Sequence, residues 1–188
     1  MEFRHLDAAG LEAVRHLVLA VHTEVRHQDF GMTGDFHSGA RFDLRLSAYA
    51  ARPGWAAVIG YDDGEPAGFC FGIPLAADTR WWRSMNPPLP AGLVREDGHR
   101  TVALNEIVVR KRWRGTGAAR RLHDTWLARR TEERVTLLVD PGAGGGRVKT
   151  VYESWGYRTL GEQQPFPDSP RFTAMIRPVT PEHPPPSS

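Results

Sequence analysis

Residues 110–126 read RKRWRGTGAARRLHDTW and give the clearest indication of the fold. It contains six basic residues and two glycines, Gly115 and Gly117, and it follows the apolar run IVV at 107–109. The apolar run is typical of a strand, and the pattern after Gly117 is typical of a helix. The first N–H groups of a helix have no intrahelical partner, and the helix dipole favours an anion beside them. The stretch therefore predicts a phosphate-binding turn, in which glycines admit the ligand and arginines attract it.

Two common phosphate-binding templates do not fit this turn. No Gly-Lys-Ser/Thr ends it, as in a mononucleotide P-loop, and no Gly-x-Gly-x-x-Gly is present, as in a dinucleotide fold. A solvated basic face or a nucleic-acid patch is the alternative interpretation of the charge run. That alternative does not explain why the glycines fall where the strand pattern changes to the helical one.

The composition of the whole chain predicts a soluble, cytoplasmic protein of one domain. Its 188 residues suit one domain, 40% are hydrophobic, and the apolar runs are too short to span a membrane. The N-terminus lacks the pattern of a secretion signal, and the single cysteine, Cys70, cannot form an internal disulfide. The net charge of +2 is too small to imply a nucleic-acid partner. Residues 1–100 hold ten Lys/Arg against thirteen Asp/Glu, so the N-terminal half is the more acidic.

Periodicity predicts alternating strands and helices, with one long insertion. Strands are expected at 2–7, 55–61, 67–75, 102–109, 134–141, 157–163 and 172–179, and helices at 8–27, 40–54, 118–131 and 147–155. The Asp-Gly step at 63–64 predicts a hairpin between two of the strands. Residues 76–101 form a proline-rich insertion of the kind that serves as a lid or binding loop or is disordered. The proline-rich tail at 180–188 is expected to be disordered.

Two motifs in the expected order resemble those of the GNAT superfamily of N-acyltransferases. The stretch VVRKRWRGTGAARRL is similar to the family's acyl-CoA motif, Arg/Gln-x-x-Gly-x-Gly/Ala, which here begins at Arg114, five residues after Val109. The stretch VYESWGYRTLG resembles the later segment in which a tyrosine, here Tyr152, precedes Gly-Phe/Tyr by four residues. The order of elements agrees over about residues 2–179. One departure is that Gly145 and Val148 stand where the family often has Asn and Ala.

The resemblance implies an α/β (α+β) fold, with a mixed twisted central sheet of six or seven strands and about four helices in a single domain at 1–179. The strand ending at Val109 and the strand at 135–139 would splay apart, and acetyl-CoA would lie in the gap as co-substrate, with no metal. The backbone of Ile107, Val108 and Val109 would bind the pantetheine. The residues implied around the pyrophosphate are Arg114, Gly115, Thr116, Gly117, Ala118, Ala119 and Arg120.

Direct acetyl transfer to an amine needs a neutral amine, a stabilised oxyanion and a protonated leaving thiolate. Glu106 is the candidate base, directly or through water, and its alternative role is a structural carboxylate paired with an arginine. Asn105 is expected on the opposite face of the strand, where it could orient water. The resemblance implies that Tyr152 is the general acid near the CoA sulfur, and packing is its alternative role.

The acceptor is expected on the side opposite CoA. The candidate acceptor-binding residues are Asp35, Phe36, Trp81, Trp82, Asn105, Phe166 and Asp168. Aromatic rings beside aspartates would suit a cationic group on an apolar body, although the two tryptophans could instead pin the insertion to the sheet. The histidines His22, His27 and His123 are expected on helix surfaces rather than in a metal site, and Cys70 is expected in the core.

The sequence thus predicts an acetyl-CoA-dependent N-acetyltransferase acting on the primary amine of a small molecule. Two alternatives stay open, a protein or peptide amine as acceptor and a non-catalytic acyl-CoA-binding regulatory module. Neither a nucleic-acid nor a membrane partner is expected, and a homodimer is compatible with the sequence.

Overall fold

The computed structural model describes residues 1–32, 34–167 and 169–180. The strands are β1 (Glu2–Leu6), β2 (Ala56–Asp62), β3 (Glu65–Pro74), β4 (Thr101–Val109), β5 (Arg134–Val139), β6 (Arg158–Gln163) and β7 (Phe172–Pro178). The α-helices are α1 (Ala8–Thr23), α2 (Gly39–Ala50), α3 (Ala91–Val94), α4 (Ala118–Leu127) and α5 (Arg147–Ser154). Helix α1 continues as a π-helix over Glu24–Asp29, and the single turn α3 lies in the insertion where no helix was expected. The predicted tail lies outside the described residues from 181 onward.

All seven strands form one mixed sheet in the order β1-β2-β3-β4-β5-β7-β6. Strands β4 and β5 are parallel, and every other neighbouring pair is antiparallel. The turn between β2 and β3 uses Asp63 and Gly64, both with positive φ, which is the geometry that an Asp-Gly hairpin favours. The predicted α/β fold with a mixed central sheet is confirmed.

The sheet opens between β4 and β5, as the resemblance implied. The two strands pair only over Thr101 to Leu104, opposite Arg134 to Leu137. Strand β4 nevertheless stays paired with β3 as far as Val109. The backbone of residues 105–109 therefore has an edge toward β5 that forms no ladder, and this edge is one wall of a cleft.

A β-bulge in β4 determines which side chains reach each face of the sheet. The register with β3 shifts at Asn105, since Phe71 lies opposite Glu106 whereas Gly72 lies opposite Leu104. Residues two apart in a regular strand share a face. The bulge breaks this rule, so Leu104 packs with the core on the α4 side while Val108, two residues beyond Glu106, packs on the α1 side.

Helices cover both faces of the sheet. On one face α4 and α5 pack onto the sheet around Trp126, Leu122 and Cys70. On the other face α1 and α2 pack around Leu11 and Phe42. The apolar stripe of α1 consists of the buried residues Leu11, Val18, Val21 and Val25, and Cys70 is a core residue as expected. None of the helices in the described ranges combines the length and the apolar composition needed to cross a bilayer.

The insertion between β3 and β4 is folded against the sheet. Trp82 and Met85 are buried with Leu75 and with Ile176 of β7. The indole Nε1 of Trp82 donates to the buried Glu96, at 2.9 Å. Trp82 therefore has the pinning role that was the alternative to acceptor binding, because its polar atom is bonded inside the insertion.

Candidate active site

One cleft of about 560 Å³ gathers most of the residues that the sequence singled out. The predicted site residues that line it are Asn105, Glu106, Ile107, Val108, Val109, Arg114, Gly115, Gly117, Ala118, Ala119, Arg120, Tyr152, Phe36, Trp81 and Phe166. Thr116, Asp35 and Trp82 do not line the cleft. Asp35 is exposed and lies 3.3 Å from Arg41, and Asp168 lies outside the described residues. The cleft follows the open edge of β4 from the start of α4 to the loop before β7.

The start of α4 forms a turn with unpaired amides at one end of the cleft. Gly115 and Gly117 have φ values of 76° and 81°, which L side chains rarely adopt, and Gly117 is the N-cap of α4. The Thr116 hydroxyl donates to the Trp113 carbonyl at 2.7 Å, which holds the turn closed. Among the described residues, no acceptor receives a hydrogen bond from the amides of 115–120. These amides are available to an anion, as the sequence predicts.

The arginines of this turn are mostly neutralised by acidic neighbours. Arg114 donates to the Val109 carbonyl at 2.8 Å and to Asp29 at 2.5 Å. Arg110, Arg112 and Arg120 lie within ion-pair distance of Glu24, Glu65 and Asp124, respectively. Within the described part of the chain, only Lys111 and Arg121 of the six basic residues have no acidic partner. Acidic partners thus offset most of the arginine charge that was expected to attract an anion, and the unpaired groups of the turn are mainly its amides.

Glu106 is a buried carboxylate held by Arg26 of the α1 extension. The Arg26 guanidinium donates to Oε1 of Glu106, and Nε2 of His22 lies 4.0 Å from Oε2. Burial raises the pKa of Glu106, but the charges of Arg26 and His22 and the Arg26 hydrogen bond outweigh it, so the pKa lies below its usual range. The arginine pairing that was the alternative role of Glu106 is therefore present, and the carboxylate is ionised at neutral pH.

Asn105 does not lie on the face opposite Glu106, contrary to the sequence expectation. Its side chain lies close enough to the hydroxyl of Tyr49 in α2 to affect the pKa of that tyrosine, so it is on the α1 side of the sheet, and its Oδ1 has no hydrogen-bond partner among the described residues. The bulge at Asn105 is the reason, because it removes the alternation that the expectation assumed. Two neighbouring polar side chains of β4 consequently line the same cleft.

Tyr152 lies across the cleft from Glu106, on α5. Its ring packs edge-on against Trp155 and Tyr157, at 5.4 and 5.6 Å between centroids. Burial raises the pKa of Tyr152 well above that of a free phenol, and this outweighs the opposing charge of Arg26. Its hydroxyl donates to no described residue. Tyr152 is therefore a neutral, rigidly packed phenol at the wall of the cleft.

Two histidines that the sequence placed on helix surfaces are buried. His22 stacks on Phe42 at 3.6 Å between ring centroids and lines the cleft, and burial lowers its pKa to about 4. His123 is hydrogen-bonded to the Tyr157 hydroxyl at 2.8 Å, and burial lowers its pKa to about 4 as well. The spacing of His22 from Val18 and Val25 placed it on the apolar stripe of α1, which is the signal that the sequence analysis missed.

Two arginines of the cleft, Arg26 and Arg45, also escaped the sequence analysis. Arg26 comes from the α1 extension and Arg45 from α2, and neither belongs to a motif. Within the described ranges, no group of three or more His, Cys, Asp or Glu side chains is arranged to hold a metal ion.

Sequence comparisons do not place the chain in a family. No protein-family model matches it, and no curated protein matches it. The fold, by contrast, has counterparts among solved structures.

Solved structures of acetyltransferases share the fold at low sequence identity. An aminoglycoside 6'-N-acetyltransferase complexed with coenzyme A superposes with a TM-score of 0.63 and 16% identity, covering 97% of this chain and 99% of that chain. A GNAT-family acetyltransferase from Staphylococcus aureus Mu50 has a TM-score of 0.65 and 12% identity, over 95% and 100% of the two chains. A ribosomal-protein-alanine N-acetyltransferase from Brucella melitensis has a TM-score of 0.60 and 16% identity, over 95% and 99%. The protein therefore has the GNAT acetyltransferase fold.

Proposed function

We propose that the protein is an acetyl-CoA-dependent N-acetyltransferase that moves an acetyl group directly to the primary amine of a small molecule. One observation carries the proposal. A single cleft joins the free amides of 115–120, the unpaired edge of β4 and the neutral Tyr152 hydroxyl. These three features suit acetyl-CoA: the anion site suits its diphosphate, the extended hydrogen-bonding edge suits its pantetheine chain, and the proton donor suits its departing thiolate.

The residues present fit coenzyme A. The free amides and the left-handed glycines at the start of α4 suit a diphosphate, because they offer several donors and no atom lies within 4 Å of the Cβ position of Gly115. The unpaired backbone of 107–109 offers the extended hydrogen-bonding edge that a pantetheine amide chain requires. When bound, acetyl-CoA would supply the activated acyl group. The neighbour solved with coenzyme A has the same fold, which supports this assignment.

The chain's own residues would provide proton transfer and orientation. Tyr152 would hold a proton beside the departing thiolate, and its raised pKa keeps it protonated at every physiological pH. Backbone N–H groups of the open β4 edge would polarise the thioester carbonyl. Glu106 would attract the acceptor ammonium and accept its proton through a water, although its lowered pKa makes it a weak base.

A small molecule suits the acceptor end of the cleft better than a protein does. Aromatic rings of Phe36, Phe166 and Trp81 line the cleft, and pockets for small molecules are mostly lined by apolar and aromatic side chains. The neighbours include one enzyme named for aminoglycosides and one named for a ribosomal-protein alanine, so fold alone does not choose between them.

The proposal is tested by binding and by turnover. Calorimetric titration with acetyl-CoA should show one site, and release of free CoA thiol across a panel of primary amines should identify an acceptor. Binding without release on any amine or peptide would support the regulatory-module alternative. Absence of CoA binding would overturn the proposed function.

A further inference from the structure

The lining of the cleft contains more basic than acidic side chains. The described lining has four arginines, Arg26, Arg45, Arg114 and Arg120, and two acidic residues, Glu106 and Asp140. Arg26 is paired with Glu106, and Arg114 and Arg120 are paired with Asp29 and Asp124. Among the described residues, Arg45 is the arginine of the lining without an acidic partner.

Arg45 is positioned to face the cleft by a single hydrogen bond. Its Nη1 donates to the Phe36 carbonyl at 2.7 Å, and its guanidinium carbon lies 4.3 Å over the Phe36 ring centroid. No carboxylate of the described residues lies within ion-pair distance of it, and its other N–H groups donate to no described residue. A planar guanidinium with free donors is the side chain best suited to form bidentate hydrogen bonds with a carboxylate.

A half-buried arginine without a carboxylate partner lowers the stability of the protein without ligand. A half-buried cation without a carboxylate loses solvation that one carbonyl does not restore. Burial accordingly lowers the pKa of Arg45, although the charge of Glu106 opposes the change. A ligand anion would remove this cost. The hydrogen bond to the Phe36 carbonyl fixes the orientation of Arg45, but the carbonyl is neutral and does not balance the charge of the guanidinium.

Aromatic rings complete the surroundings of Arg45. The Phe36 ring lies 6.3 Å from that of Phe166 and 6.1 Å from that of Phe172, centroid to centroid. These rings belong to the loop before α2 and to the region of β7, at the opposite end of the cleft from the turn at 115–120. They offer an apolar wall to the body of a ligand whose charged group reaches Arg45.

We infer that the acceptor, on the function proposed above, is a primary amine that also carries a carboxylate or similar anionic group on an apolar or aromatic body, and that Arg45 binds this anion. The expectation of a cationic acceptor rested on two aspartates. Asp35 lies outside the cleft lining, and Asp168 lies outside the described residues. A polycationic acceptor would instead be repelled by the positive charge of Arg45.

A matched pair of non-reacting probes tests the inference without knowledge of the true acceptor. We would measure binding of 3-phenylpropanoate and of 3-phenylpropanamide to the full chain by ligand-observed NMR, with and without CoA. The acid should bind about tenfold more tightly than the amide, a difference of about 1.4 kcal/mol, because the guanidinium binds a charged acceptor more strongly than a neutral one. Equal binding of the two probes, or no binding of either, would overturn the inference.

Variants assign the preference to Arg45. Arg45→Gln should reduce the acid-to-amide ratio to within about twofold, and Arg45→Lys should keep part of it because the charge remains. Arg52→Gln, an exposed position just after α2, is the matched control and should behave as the wild type. A ratio that survives in Arg45→Gln would contradict the inference.

The inference and the proposed function fail separately. Loss of CoA binding in the wild type would refute the acetyltransferase proposal, while the probe comparison without CoA would still report on Arg45. Turnover that prefers spermidine or an aminoglycoside to 4-(aminomethyl)benzoate would refute the inference and leave the acetyltransferase proposal standing.

Discussion

At the scale of single residues, the cleft pairs one neutral acid with one ionised carboxylate. Burial raises the pKa of Tyr152, whereas the charge of Arg26 outweighs burial and lowers the pKa of Glu106. The two environments thus widen the ordinary difference between a phenol and a carboxyl group, and at neutral pH one is neutral and the other ionised, which is the arrangement that acid and base roles require.

Replacing Tyr152 with Phe tests the acid. We expect kcat to fall by about 10²–10⁴-fold, the usual contribution of a positioned proton donor, with the Kd for CoA little changed. Steady-state thiol release and calorimetry would measure the two quantities. Full turnover by the variant would show that Tyr152 serves only packing.

Tyr157→Phe is the control for loss of a buried hydroxyl on the same cluster. It removes the partner of His123 and should cost about 1–3 kcal/mol in the free energy of unfolding, since a buried nitrogen loses its hydrogen bond.

Replacing Glu106 with Gln separates its two roles. The change leaves Arg26 without its carboxylate, and breaking such a pair costs about 3–5 kcal/mol when both groups are fully buried, so we expect somewhat less here. If Glu106 also accepts the acceptor proton, kcat/KM should fall more than tenfold at pH 7 and recover partly near pH 9, about where a primary amine becomes neutral. A denaturant titration and a pH–rate profile would measure the two effects.

The double variant Arg26→Gln, Glu106→Gln is the control for stability. Removing both charges should restore part of the lost free energy of unfolding but not the rate at pH 7. An equal loss of rate at all pH values in Glu106→Gln would argue that the carboxylate only holds Arg26.

At the scale of elements, the strand-to-helix turn offers an anion its backbone amides rather than its arginines. The amides of 115–120 are free, whereas Arg110, Arg112, Arg114 and Arg120 are paired with acids. Gly145, which stands where the family often has Asn, has a positive φ that glycine adopts without strain.

Gly117→Ala tests the turn. A Cβ at φ 81° costs about 1–2 kcal/mol in backbone strain, and Nη1 of Arg121, which would lie 3.1 Å from it, must give way by a few tenths of an ångström. We expect the Kd for CoA to rise about tenfold, since relief of the strain at residue 117 would reorient the amides beside it. Calorimetry would measure it.

Gly92→Ala provides the comparison for that experiment. Gly92 lies in α3 with no atom near its absent Cβ and no positive φ, so the substitution should leave CoA binding unchanged. An unchanged Kd for CoA in Gly117→Ala would contradict the proposal that the turn at 115–120 binds the diphosphate.

At the scale of the whole molecule, the buried histidines make stability depend on pH. His22 and His123 have folded pKa values of about 4, below the value of 6.5 for an exposed imidazole. The unfolded chain therefore binds more protons than the folded chain between pH 6.5 and 4, and stability falls as the pH falls through that window. Glu106, whose pKa is lowered, adds a loss in the same direction below pH 4.5.

Thermal unfolding between pH 7.5 and 4.5 checks this dependence. We expect Tm to be steady above pH 7 and to decrease steadily below pH 6.5. His16, an exposed-helix histidine of α1, offers a control, since His16→Gln should leave the slope unchanged. A Tm that rises on acidification would contradict the burial of His22 and His123.

The sequence by itself determined the local features of this protein. Helical and strand periodicity, the Asp-Gly hairpin and the strand-to-helix turn depend on neighbours within a few residues. The order of elements and the free amides at 115–120 could therefore be predicted, whereas the placing of Tyr152 at the cleft was implied by the resemblance to the GNAT superfamily.

Only the tertiary structure decided the charges of the cleft. Arg26 and Glu106 are 80 residues apart, and Asp29 and Arg114 are 85 apart, so no local pattern announces either pair. The bulge that turns Asn105 toward Tyr49 is set by the register with β3. That no carboxylate of the described residues lies within ion-pair distance of Arg45 is likewise a consequence of the fold. Electrostatic partners depend on distance in space, and the fold alone sets that distance.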